Sequence, residues 1–164
     1  MICLRRRCMA GRKGIGSRMI KFTLPIIPTA QARPKVTVRN GFARGYKTEA
    51  QQANERTLEA ELKDHAPEKP LDGPLVLEFV AALPVPKSVS KKARAAMLSG
   101  EDCPVKRPDT DNLCKQILDA CTRLQFWSDD SQVVKIVGEK IYAEVGYWEI
   151  AIYEAVRRSI TEEK

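Results

Sequence analysis

Residues 74–84 read PLVLEFVAALP, an apolar run of strand length with a single charge at Glu78. A strand with so little polar alternation needs cover on both faces, so it belongs at the centre of a sheet. The rest of the chain has to supply that sheet. MIKFTLPIIP (19–28) alternates as a first strand and is ended by Pro25 and Pro28. In RPKVTVRNGFARGYKT (33–48), Val36 and Val38 alternate with Lys35, Thr37 and Arg39, and Asn40-Gly41 is a hairpin turn signal. Thr48 is placed to cap a helix over TEAQQANERTLEAELKDH, broken by Pro67, Pro70 and Gly73. KSVSKKARAAMLSG predicts a short helix capped by Ser88 or Ser90 and stopped at Gly100. DNLCKQILDACTRL predicts a third, with Leu113, Ile117, Leu118, Cys121 and Leu124 on one buried stripe. SQVVKIVGEKIYAEVG and YWEIAIYEAV predict two strands turning near Gly146. Strands and helices mix without a regular βαβ rhythm, which implies an α+β domain, a mixed sheet with helices packed on it.

The 164 residues suffice for one domain with a real core. No apolar run has spanning length, so no membrane segment is expected, and the N-terminus lacks a secretory signal, which points to the cytoplasm. The net charge of +7 hides an asymmetry: residues 1–18 carry six Lys/Arg and no acid, and residues 19–48 carry six more and no acid. The remaining 116 residues hold 16 Lys/Arg against 21 Asp/Glu. Residues 1–18 are therefore expected to be a disordered basic extension or leader, residues 19–156 the folded domain, and residues 157–164 a polar tail. The basic hairpin, with Arg33, Lys35, Arg39 and Arg44, either tracks a phosphate backbone or is an edge whose charges discourage aggregation. Five cysteines without a CxxC, and one histidine, support neither a zinc site nor a disulfide framework. Cys114 and Cys121, seven apart on a helix, are expected to be small buried residues. His65, at a helix end, is expected to be solvated and to suit the helix dipole.

The chemistry concentrates in KRPDTDNLCKQILDACTRLQFWSDDSQVV (106–134). Asp109 and Asp111 sit two apart at a helix start; in extended chain that is about 6.6 Å between Cα atoms with both side chains on one side. Such a pair can share a hard cation, or the two can simply cap the helix, with Asn112 a further cap candidate. Lys115 follows Asp111 by one turn. Asp119, a turn further on, is expected to pair with Lys115 or Arg123. Asp129 and Asp130 lie beyond the far end of the helix. To join Asp109 they need Leu124–Asp130 extended back along it, anchored by Phe126 and Trp127; otherwise Asp129-Asp130-Ser131 is a polar turn.

This segment strongly resembles the RusA family of Holliday junction resolvases, whose signature is a PD-x-DN-x-x-K helix start followed by D-A-L and a DD-x-Q-V strand. The resemblance extends to IKFTLPIIPTAQARPKV, PVPKSVSKKARAAML and EKIYAEVGYWEIAI, about Ile20 to Ala155, in the style of the phage-type members. It implies a homodimeric, Mg²⁺-dependent endonuclease (Mn²⁺ being an alternative ion) that cuts four-way DNA junctions by paired nicks in recombination and repair. Matched position by position, it implies Asp109, Asp111 and Asp130 as metal ligands and Lys115 as the catalytic lysine. Asp129, Asn112 and Gln132 are implied as supporting residues. DNA contacts are expected from the basic hairpin together with Lys91, Lys92, Arg94 and Arg107. Other branched DNA, or junction binding without catalysis, are the alternatives.

Overall fold

The computed structural model describes residues 19–30, 35–39 and 42–155. The expected extension at 1–18 and tail at 157–164 lie outside the described residues. Strand β1 (Ile20–Leu24) is followed by a hairpin, β2 (Lys35–Arg39) and β3 (Phe42–Tyr46), and by helix α1 (Glu49–Lys63). The long strand β4 (Leu75–Pro84) leads to α2 (Lys91–Ser99) and α3 (Thr110–Arg123). A 3-10 turn, Asp130–Gln132, then opens β5 (Val133–Ala143), and β6 (Tyr147–Glu154) closes the chain. The main sheet has the order β1-β6-β4-β5, with β4 and β5 parallel and the other pairs antiparallel; β2 and β3 form a separate two-stranded sheet. This is the α+β architecture expected. Among the described residues no helix is long and apolar enough to cross a membrane.

The apolar run 75–84 holds the interior position its composition demands, between β5 and β6. Its residues Leu75, Leu77, Phe79 and Ala81 join a core built with Phe22 and Leu24 of β1, Leu58 and Leu62 of α1, Leu113 and Ile117 of α3, and Trp148 and Ile150 of β6. Each such large side chain contributes about 1.5–3 kcal/mol by leaving water. The expected stripe of α3 is present: Leu113, Ile117 and Cys121 are buried, and Leu118 and Leu124 pack against the core.

The turn near Gly146 does not close a hairpin. The two strands it joins lie on either side of β4, so the link must cross the end of that strand. The crossing is tight at Gly146: a Cβ there would sit 3.0 Å from the Ile27 side chain and 3.2 Å from Pro84, so a side chain would push its neighbours aside by a few tenths of an ångström. Gly138 meets a similar constraint on β5, where a Cβ would lie 2.4 Å from the Phe79 ring. Strand alternation alone carries no information about which strand intervenes. His65 differs from expectation as well: it is half-buried and stacked on Phe22, ring centroids 4.4 Å apart.

Two helices begin on orthodox caps. Thr48 accepts from the Gln51 amide while the Gln51 side chain accepts from the Thr48 amide, a complete capping box. Ser90, rather than Ser88, accepts from the Ala93 amide at the start of α2, and the helix ends at Gly100. The third helix starts differently.

Candidate active site

Asp109 occupies the N-cap of α3 with extended backbone (φ −76°, ψ 142°), yet its side chain makes no capping hydrogen bond. Its carboxylate is exposed; only the Asn112 side-chain amide approaches it, at 3.5 Å. Asp111 is exposed in the first turn and Lys115 is exposed one turn later, so two carboxylates and an ammonium gather at one helix end. The N-terminal dipole of α3 favours that negative charge. Beneath them, Leu113, Ile117 and Cys121 hold the helix in the core. The half-buried Cys114 thiol is pushed up by burial first and by the Asp111 carboxylate second, and Cys121 is pushed up further by full burial. Both stay protonated at neutral pH and are poor nucleophiles, in keeping with their expected packing role.

The loop ahead of Asp109 is tied to the sheet. Lys140 of β5 donates to the carbonyl of Pro108 at 3.0 Å and to that of Lys106 at 3.2 Å. No sequence pattern singles out Lys140, since it lies on an edge strand some 30 residues further along the chain and the contact exists only through tertiary packing.

The second carboxylate pair sits elsewhere. After α3 the chain reverses through Gln125 (φ 60°), the Phe126 amide donates to the Cys121 carbonyl at 3.0 Å, and Leu71 bonds back to Phe126 at 2.8 Å. Phe126 and Trp127 are fully buried, the anchors expected of them, and the Trp127 indole donates to Thr122 at 2.8 Å. These bonds hold the segment at the C-terminal end of α3, and it does not run back along the helix. Here Asp129 accepts from the Ser131 amide at 2.9 Å, and those Ser131 hydrogen bonds hold its carboxyl below the usual range. Gln132 clamps the turn: its Oε1 accepts from the Ser128 and Asp129 amides, and its Nε2 donates to the carbonyls of Leu71 and Gly73. Asp130 is exposed beside it.

The two pairs are therefore separated by the length of α3, 14 residues or about 21 Å. The parallel path along β5 agrees, because Lys140 touches the Asp109 loop while Asp130 precedes Val133, about 23 Å earlier on the strand. Among the described residues no three carboxylate, imidazole or thiol groups converge to hold a metal. The one-chain route through an extended 124–130 segment is thus not taken. Asp109, Asp111, Asn112 and Lys115 are brought together; Asp129, Asp130 and Gln132 form a second group at the other end.

Of the expected basic contacts, Lys91 and Lys92 are exposed on α2 and Arg107 is exposed two residues before Asp109. Arg94 is ion-paired with Glu144. Arg123 pairs with Glu59 of α1 at 2.6 Å. The hairpin forms with Lys35 opposite Tyr46, Thr37 opposite Arg44 and Arg39 opposite Phe42. Arg33, and the side chains of Lys35, Arg39 and Arg44, lie outside the described residues.

Both groups fall within a region, residues 25–153, that matches the family model "Endodeoxyribonuclease RusA". A protein of Bacillus subtilis (strain 168), the uncharacterised YqaN, is 34% identical over 137 residues, covering 82% of this chain and 96% of that protein. The crossover junction endodeoxyribonuclease rusA of Lactococcus phage r1t is 46% identical over 48 residues, covering 29% of this chain and 37% of its own.

Proposed function

The chain belongs to the endodeoxyribonuclease RusA family, and from that premise we propose that it resolves four-way DNA junctions by paired nicks, as a Mg²⁺-dependent homodimer acting in recombination and repair of cytoplasmic, phage or prophage DNA. The observation that carries this reading is the start of α3. An aspartate in the cap position leaves the helix uncapped and points an exposed carboxylate at solvent beside Asp111 and Lys115. An all-carboxylate donor set fits a hard divalent ion. Asp109, Asp111 and Asp130 would hold Mg²⁺, or Mn²⁺ in its place, and the ion supplies a lowered pKa for attacking water and charge for the departing oxygen. Lys115 steadies negative charge developing on the phosphodiester. Arg107, Lys91 and Lys92 supply phosphate contacts that orient the backbone without reading sequence.

The homodimer resolves the separation of the two carboxylate groups. Strand β5 is a sheet edge with Val134, Ile136 and Val137 exposed at 62%, 44% and 43%, interspersed with the charged Lys135 and Glu139, and its edge backbone and apolar side chains can take another strand. A second copy paired antiparallel about a two-fold axis near Ile136 would set its Gln132 opposite Lys140. The partner's Asp130 then approaches the Asp109–Asp111 end, and each site draws on both copies. Two such sites suit a substrate with near two-fold symmetry.

Nicking of an end-labelled four-way junction beside a matched fork and linear duplex, with Mg²⁺ or EDTA, tests this on wild type and Asp111→Asn. Paired, junction-selective, metal-dependent cuts lost in the variant are expected. Faster cutting of the fork would move the substrate to other branched DNA. Junction binding without cuts even with Mg²⁺ present would leave a binding protein whose aspartates are surface charges.

A further inference from the structure

We propose that Lys140 is a positioning residue of this site: by holding the carbonyls of Lys106 and Pro108 it fixes the main chain from which Asp109 departs, and with it the placing of the Asp109–Asp111 pair. The inference rests on the metal-dependent reading above, and three observations carry it.

First, Asp109 has little else to hold it. Its side chain forms no cap bond, the Asn112 contact is long at 3.5 Å, and among the described residues its own carbonyl is engaged only by the Leu113 amide at 3.1 Å as α3 begins. The preceding residues 100–109 contain no regular element; Pro104 is buried and Pro108 half-buried, but Val105, Lys106 and Arg107 between them are exposed, so apolar burial does little to anchor that stretch. Two charge-assisted hydrogen bonds from one ammonium are each stronger than a neutral pair, and they fall immediately upstream of the carboxylate.

Second, the donor stands on a rigid element. Lys140 pairs with Ala81 in the β4–β5 ladder, one strand from the centre of the sheet, and is half-buried where its neighbours Val134 to Glu139 are exposed. A flexible stem on a fixed strand, with its head group on two carbonyls, transfers the rigidity of the sheet to the loop.

Third, the same strand begins at the other carboxylate group. β5 follows directly on Asp130–Gln132, so one strand carries Asp130 at its start and steadies the Asp109 loop near its end. Pairing of two copies along β5 would place both halves of each site on the same pair of strands. Lys140 is the joint between that paired edge and α3. It is assigned no contact with substrate, because its ammonium faces backbone carbonyls.

Replacing Lys140 with Met keeps the stem and removes the donors. The readouts on the full chain are Mn²⁺ affinity by electron paramagnetic resonance, melting temperature, and the split between kcat and KM on a junction. Loss of an outer-shell support typically weakens metal affinity by about 10–100-fold, and that weakening is expected here with KM for junction nearly unchanged and the melting temperature little altered. Lys140→Arg, which retains donors on a longer stem, is expected to fall between Met and wild type. Wild-type Mn²⁺ affinity in Lys140→Met overturns the proposal. So does a loss of affinity that only parallels a fall in melting temperature and is not relieved by Arg. Should the Met variant fail to fold, Lys140→Gln, whose shorter stem cannot carry a donor to both carbonyls, decides instead: a several-fold weaker Mn²⁺ affinity at an unchanged melting temperature supports the role, and an unchanged affinity overturns it. A wild-type chain that binds no Mn²⁺ and cuts no junction would instead sink the metal-dependent reading itself.

Discussion

Asp109 and Asp129 occupy equivalent places, each the N-cap of the turn or helix that follows, and they use them oppositely. Asp129 does what a capping aspartate does: its carboxylate takes the Ser131 amide while Gln132 returns a bond to its own amide, a reciprocal box on a single 3-10 turn. Asp109 holds the cap position of a 14-residue helix and makes no such bond. A short turn is thus fully capped and a long helix is not. Both members of the Asp129-Asp130 pair are exposed, and among the described residues only the carboxylate of the first is engaged by a backbone amide.

The largest effect is expected from crossing the two ends. Asp111→Asn and Asp130→Asn should each lower junction cutting by at least about a hundredfold, the scale of losing one charge-stabilising group in an active site. Mixed and allowed to exchange subunits, they should regain cutting. A dimer with one of each carries one site with both aspartates intact and one with neither, so its product is a nick in one strand only. Two dead variants that stay dead together would mean that each chain builds its own site, and the separation across α3 would need another explanation.

Next in size is a comparison of caps. Thr48→Ala removes half of a complete capping box and should cost about 1 kcal/mol in denaturant unfolding. Asp109→Ala breaks no capping bond and should cost clearly less, while abolishing cutting. Equal destabilisation by the two would show that Asp109 caps α3 in solution and would return it to a structural role.

Much of this was legible in the sequence because it is local. The caps at Thr48 and Ser90, the buried stripe of α3, and the anchoring of Phe126 and Trp127 follow from spacing and residue type, and so does the gathering of Asp109, Asp111 and Lys115 at one end of α3. The crossing at Gly146 was not legible, since two alternating strands three residues apart look like a hairpin until the more apolar β4 claims the place between them. Nor was the distance from Asp109 to Asp130: a left-handed residue at Gln125 and a bridge between Leu71 and Trp127 decide it, and both depend on packing from residues far away in sequence. Lys140 was missed for the same reason, as was the reach of Arg123 to Glu59 on another helix.

The smallest effect distinguishes a charged cap from a neutral one. Asp129→Asn leaves an oxygen that can still accept from the Ser131 amide but removes the charge that strengthens the bond. Because the folded-state pKa of Asp129 is lowered by those hydrogen bonds, its ionised form stabilises the fold at pH values above the unfolded aspartate pKa, about 3.9, and that contribution disappears as pH falls through the lowered folded value. Wild type should therefore melt slightly above Asp129→Asn at pH 7, with the gap closing on acidification, and cutting at pH 7 should fall by less than about tenfold, since the turn beside Asp130 is kept. A gap that widens in acid would reverse the sign and mean that the protonated carboxyl is the one the turn holds. Loss of cutting as deep as that of Asp130→Asn would erase the division within the pair and place Asp129 among the groups that meet the ion.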